Sequence, residues 1–267
     1  MTSSFLLLQN EGFLMQNCIR TSLAALRTWR TEDRCAFYGA FFGLTVGFER
    51  LLKILILLDH WNLSRKFLTD AELKVYCHDI EKLFAKVESL FDKYDVVRNE
   101  NLQLDEIDRK LLAFLSGFAR RGRYYNLFTL NGSEGTDPLG EWEDLLREIY
   151  EKDIPEEKRL PEPDENTVLA DHVEGNGCIK FTRAGNAVQT QTEHDYDQKQ
   201  MHLALPEMCW RLVKLLAPLK SLLISVHEQI REKDHGTDGE LSVPYMDEFL
   251  EFVCEDKAAI FESEDWP

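Results

Sequence analysis

Residues 36 to 58, AFYGAFFGLTVGFERLLKILILL, carry glycine at every fourth position: Gly39, Gly43 and Gly47. On a helix that spacing places all three on one face, where a bare ridge lets a second backbone approach closely. Phe37, Phe41, Phe42, Leu44, Phe48, Leu51, Leu52, Leu55 and Leu58 make nearly every other face apolar. A helix apolar all round belongs in the middle of a bundle. The uncharged run stops at Glu49, Arg50 and Lys53, short of the ~20 residues a bilayer crossing needs, so no membrane association is expected.

Helical pattern surrounds this segment. Residues 10 to 30 read as a first helix with Phe13, Leu14, Cys18, Leu26 and Trp29 on helical spacing. Thr69 and Glu72 form a capping box. It opens a helix whose stripe is Leu73, Tyr76, Ile80, Leu83, Val87, Leu90 and Tyr94. A fourth helix starts near Asp105, with Ile107, Leu111, Phe114, Leu115 and Phe118 as its stripe, and a short one covers 140 to 152. From about Gln198 a broad apolar band returns, with Pro206 and Pro218 expected to start or kink it, and VPYMDEFLEFVCEDKAAIF predicts a last amphipathic helix. CIKFTRAGNAVQTQT alternates weakly around Gly185-Asn186, which admits a small β-hairpin near 178–192. The expected fold class is all-α. A helical bundle fills 1–130, an acidic connector with a short helix and the hairpin follows over 131–197, and C-terminal helices over 198–267 pack on the bundle.

Charge divides the chain. Residues 1 to 130 carry a net +2, and the remainder carries the −19 that brings the total to −17. An acidic half repels phosphates, so global attraction to nucleic acid is not expected. A solvated surface accounts for the excess; an acidic element covering a basic surface is the sharper alternative. The six cysteines show neither a CxxC pair nor metal-like spacing and read as small core residues in a reducing cytoplasm. The opening MTSSFLLLQNEGF has no basic leader and does not read as a secretory signal.

Three stretches carry a likeness to a known family. GFERLLKILILL (47 to 58), HDIEKLF (78 to 84) and ARRGRYYNL (119 to 127) together resemble the HEPN superfamily of small helical bundles, over roughly half the chain. The resemblance implies a setting in bacterial toxin-antitoxin or phage-defence biology, pairing into dimers, and in many members metal-independent ribonuclease activity. That activity uses an Arg, a polar residue and then His after four to six more. None of the seven histidines has an Arg at that distance; Arg98-Asn99 begins the pattern, but Leu104, Asp105 and Glu106 stand where the His belongs. The expected function is therefore non-catalytic binding or interaction. An atypical ribonuclease using His78, Arg123 or Tyr124 is one alternative, and an acidic mimic of nucleic acid is another.

The densest basic-aromatic patch is Arg120, Arg121, Arg123, Tyr124, Tyr125 and Asn126. Guanidinium forks grip phosphates and tyrosine faces stack on bases, so RNA or a nucleotide is the ligand this patch suits. The plainer reading packs the tyrosines at the end of the bundle and pairs the arginines with the acidic half. His78 followed by Asp79 has the residue types of a general base held by a carboxylate, against a plainer histidine hydrogen-bonded between helices. Glu49 and Lys53 read first as an i,i+4 ion pair. His194, Asp195, Asp197 and His202 fit no closed metal site. GxxxxGK[ST], GxGxxG after a strand, HExxH and GxSxG are all missing from the sequence. No cofactor or metal is expected; a protein partner or a homodimer is.

Overall fold

The computed structural model describes residues 3–31, 33–97, 103–182, 185–234 and 241–262, together with Trp266. The described residues are all-α apart from one hairpin. The helices are α1 (Ser3–Arg27), α2 (Arg34–Ser64), α3 (Asp70–Lys74), α4 (Ile80–Glu88), α5 (Glu106–Arg120), α6 (Tyr125–Leu130), α7 (Pro138–Asp153), α8 (Glu165–Glu174), α9 (Gln191–Asp234) and α10 (Lys257–Glu262). Among the described residues no helix is long and apolar enough to cross a membrane.

Helix α2 is the centre. It packs against α1, α4, α5 and α9, and Phe37, Phe41, Leu44, Phe48, Leu51, Leu52 and Leu55 are all buried along it. Asp33 starts it by accepting a hydrogen bond from the Ala36 amide at 2.8 Å. Arg65 ends it in the left-handed conformation, φ 56°, with its N–H returned to the Trp61 carbonyl.

Two of the three glycines make the close approach. A Cβ on Gly47 would stand 2.5 Å from Ile19 Cγ1, and one on Gly43 would stand 2.5 Å from Ser22 Oγ, so α1 lies directly on this ridge. Gly39 does not share it: a Cβ there meets nothing within 4 Å. Each four-residue step turns about 40° beyond a full revolution, which carries Gly39 about 80° round from Gly47 and out from under α1. The facing stripe of α1 also differs from expectation. Leu8, Gly12, Met15, Ile19, Ser22 and Leu26 are buried, while Phe13 and Leu14 are exposed. The true seam uses small residues, Gly12 against the Phe249 ring and Ser22 against Gly43, and these have no apolar signature.

The capping box at Thr69 and Glu72 is present, but its helix ends after five residues. The chain turns through Cys77 at φ 46° and restarts at α4, where the Asp79 carboxylate accepts from the Lys82 amide. The two segments therefore form separate helices, while Ile80, Leu83, Val87, Leu90 and Tyr94 keep their expected buried places.

The second half corrects several boundaries. Helix α9 runs unbroken for 44 residues with Pro206 and Pro218 inside it, and it begins before Gln198. Burial of its mid-section against α7, α2 and α1 outweighs the roughly 3 kcal/mol each internal proline costs. The last amphipathic helix is instead a 3-10 turn, Met246–Leu250, followed by the six-residue α10. Strands β1 (Gly177–Thr182) and β2 (Gly185–Thr190) form the antiparallel hairpin. Gly185 pairs with Thr182 and Asn186 with Phe181, so both lie in the ladder and not at its turn. The Asp171 carboxylate of α8 accepts from the Thr192 amide and hydroxyl, fastening α8 to the start of α9. Cys209 is buried as expected, and burial pushes its thiol up to about 12; Cys35 and Cys77 are exposed. Arg98, Asn99, His235 and the glycine turn at 236–239 lie outside the described residues.

Candidate functional site

The least covered face of α2 carries Gly39, Phe42, Val46, Glu49 and Lys53. Two of these residues, Glu49 and Lys53, form one edge of a polar cluster with the start of α4 and the end of α5. Lys53 Nζ donates to Glu49 Oε1 at 2.6 Å, and His78 Nδ1 lies 2.8 Å from Glu49 Oε2. Burial alone raises the Glu49 pKa, but hydrogen bonds from Lys53 and His78 outweigh it and hold the carboxyl below its usual range. An ionised carboxylate only accepts, so the proton sits on His78 Nδ1, and in the neutral ring Nε2 is the lone-pair edge. The imidazole is exposed, and its Nε2 has no hydrogen bond among the described residues.

Asp79 is fixed beside it. Burial raises its pKa, and the Lys82 amide, the Ser116 hydroxyl (3.1 Å) and the Arg120 guanidinium (3.3 Å) together lower it further than burial lifts it. Arg120 also reaches Glu81 at 3.7 Å. Helix α5 is held by Asp105 and Asp108, a reciprocal capping box at its start, so its last turn delivers Arg120 to a set place.

The Arg120–Asn126 patch divides between two faces. Arg120, Arg121 and Tyr125 line an open groove of about 750 Å³ with Phe118, Phe128 and Thr136. The loop from 131 to 137 closes one side, with Gly135 against the Tyr125 ring. Arg121 makes no ion pair among the described residues, whereas Arg120 is shared with the Asp79 cluster. Glu134 and Glu141 stand at the same groove, so its charge is mixed. Arg123, Tyr124 and Asn126 do not line the groove. The Arg123 guanidinium lies 6.0 Å from the Phe42 ring centroid and 5.2 Å from that of Tyr124, with its Nε buried and unpartnered. Tyr124 packs near Phe128, and Asn126 is hydrogen-bonded to Tyr38. Of the candidate set His78, Arg123 and Tyr124, His78 contacts Glu49, Arg123 lies over the Phe42 and Tyr124 rings, and Tyr124 packs near Phe128.

One charged cluster has no counterpart in the sequence reading. Arg211, inside the apolar band of α9, reaches Asp105 at 2.9 Å, Asp108 at 2.7 Å and Asp153 at 2.7 Å, and Lys214 also bonds Asp108. These contacts tie α5, α7 and α9 together. The signal was available: a guanidinium and an ammonium three apart in a buried band require buried acids. The arrangement is fully paired and closed, which suits a clamp and not a ligand site.

His194 Nε2 lies 2.7 Å from Gln198 Nε2, and among the described residues no group of three His, Cys, Asp or Glu side chains is placed to hold a metal ion. Comparison with family models, with curated proteins and with solved structures finds no match to this chain.

Proposed function

We propose that this chain is a HEPN-like binding protein without the usual ribonuclease chemistry, and that its recognition surface is the groove at the end of α5. The convergence of Arg120, Arg121 and Tyr125 on one opening of about 750 Å³ carries this reading. Two guanidinium forks supply phosphate contacts, and the Tyr125 and Phe128 rings supply faces on which a base stacks. The ligand class is RNA or a nucleotide, held locally in spite of the acidic second half. That half steers a basic protein partner, in a toxin-antitoxin or phage-defence setting.

Fluorescence anisotropy of a labelled single-stranded RNA, with wild type and Arg121→Ala, tests it. Saturable binding that the substitution weakens supports the groove; equal binding by both proteins removes it.

A second reading rests on the Glu49–His78 pair. A carboxylate on Nδ1 and an outward Nε2 is the geometry of a general base. Gel analysis of total RNA incubated with wild type, His78→Ala and Arg123→Ala separates the two. Cleavage lost in His78→Ala favours an atypical ribonuclease over binding alone.

A further inference from the structure

Helix α8 buries none of its ten residues. A helix this short is not stable alone in water, and polar bonds hold it here: the Asp164 cap at its start and the Asp171 carboxylate on Thr192. Its apolar side chains are left open, with Leu169 at 62% and Val173 at 80% exposure. Glu165, Val168, Leu169 and His172, spaced i, i+3, i+4 and i+7, share one face of α8 and wall an open groove of about 450 Å³. Glu193 and Tyr196 on the first turns of α9 make the other wall, and Glu162 and Pro163 complete the lining. These residues are all different from those lining the groove at α5.

An apolar helix face open to water lacks the packing partner that such a face ordinarily has, and the charge around this one selects the occupant. Glu162, Glu165 and Glu193 bring three carboxylates to the groove. They lie in the half of the chain that carries the −19. Such a surface repels phosphate backbones and anionic lipid heads. A second copy of a chain with net charge −17 meets the same repulsion. A cationic segment is drawn in, and a groove between two helices accepts apolar side chains that project one turn apart from a third.

We propose that the α8–α9 groove docks a cationic amphipathic helix of a partner protein. Apolar anchors of that helix lie along Val168, Leu169 and Tyr196, and its lysines or arginines meet Glu162, Glu165 and Glu193. This docking rests on the acid-rich half steering a basic partner, as proposed above, and gives that partner a place and a form.

Fluorescence anisotropy of a labelled lysine–leucine helix, KLLKKLLKKLLK, with the full chain tests it, beside the acidic counterpart ELLEELLEELLE and an all-lysine peptide of equal length. The lysine–leucine peptide is expected to bind saturably, the all-lysine peptide more weakly, and the acidic one not at all. Leu169→Ser and Glu165→Lys change exposed side chains, so each should keep its melting temperature while weakening the peptide roughly fivefold or more. Glu262→Lys, the same charge change at an exposed position outside the groove, and Arg121→Ala, at the α5 groove, should bind the peptide as wild type does. Wild-type affinity in Leu169→Ser or Glu165→Lys overturns this surface, while leaving a basic partner to be steered elsewhere. Equal binding of the all-lysine or acidic peptide, or no binding of the lysine–leucine peptide, overturns it as well. RNA binding at the α5 groove is scored on Arg121→Ala, so its result stands apart from these.

Discussion

Arg211 Nη1 lies 2.7 Å from Asp108 Oδ1, with 3% of the arginine side chain and none of the aspartate exposed. The partly exposed Asp105 and Asp153 complete the acids around the guanidinium, so removing it leaves the buried Asp108 facing two further carboxylates. Splitting a buried pair costs about 3–5 kcal/mol. Arg211→Met is expected to lower the urea-unfolding free energy by about that amount. Lys152→Ala, at the exposed bond to Asp105, costs under about 1 kcal/mol. Similar losses for both substitutions contradict the clamp.

The same cluster sets an acid limit. Burial raises the Asp105 pKa, but bonds from Arg211, Lys152 and the Asp108 amide drive it well below the ordinary carboxylate value. A lowered folded pKa gives stability that is complete above the unfolded value of about 3.9 and declines as pH falls from there toward the folded value. Wild-type stability should therefore drop below about pH 4, and Arg211→Met should show a shallower decline across that window in urea titrations.

Gly47 and Gly39 offer a controlled contrast on one helix. An added methyl at Gly47 collides with Ile19 Cγ1 at 2.5 Å and crowds the Ile19 amide nitrogen at 3.2 Å, so α1 must move. Overpacking of this kind costs about 1–3 kcal/mol. At Gly39 the methyl meets nothing, and replacing a helical glycine by alanine gains about 0.5–1 kcal/mol. Gly47→Ala should melt lower than wild type and Gly39→Ala should not. Equal destabilisation by both would mean that the two glycines share one packed face.

What was legible and what was not follows from this contrast. The apolar circumference of α2 announced its central place, because burial on most sides leaves a mark in most residues, although the apolar Phe42 on the remaining face stays exposed. The partner stripe on α1 was hidden, because close approach selects Gly12 and Ser22, which carry no apolar mark. The break at Cys77 was hidden too: the buried stripe from Ile80 to Tyr94 has the same spacing in one helix or two. Only the capture of Asp79 by Ser116 and Arg120, both distant in sequence, fixes where α4 starts. At the candidate site the residue types were readable as a string, but a 3-10 turn at Gly122–Tyr124 parts Arg121 and Tyr125, which line the groove, from Arg123, which lies over the Phe42 ring. The Glu49–His78 contact joins α2 to the start of α4, and such pairings are set by tertiary packing.

His227 is buried on α9 with its Nε2 unpartnered, its ring 4.3 Å from that of Tyr245. Burial lowers its pKa and outweighs the opposing pull of Asp247, Glu228 and Asp234, with Arg231 adding to the lowering. The unfolded chain then takes up the proton first. Stability is unaffected well above pH 6.5, falls as pH drops below about that unfolded value, and levels off beneath the depressed folded value. His227→Phe removes this dependence. Urea midpoints at pH 7.5 and pH 5 should differ more in wild type than in the variant; matching differences would show that this ring does not gate the acid response.

Arg120 and Arg121 share the groove but differ in their other attachments, which makes their substitutions separable. Arg120 holds Asp79 and Glu81 through exposed contacts, so Arg120→Ala should lose RNA affinity together with a small amount of stability, under about 1 kcal/mol. Arg121 has no ion pair among the described residues, so Arg121→Ala should lose affinity with its melting temperature unchanged. A single-strand phosphate contact contributes about 0.7 to the slope of log K against log salt. Anisotropy titrations across 50 to 300 mM salt, chosen as a roughly sixfold range, should show that slope reduced by about 0.7 in each variant. Weakened binding with an unaltered slope would mean that the guanidinium contacts a base or the protein itself, and that the groove does not grip phosphate.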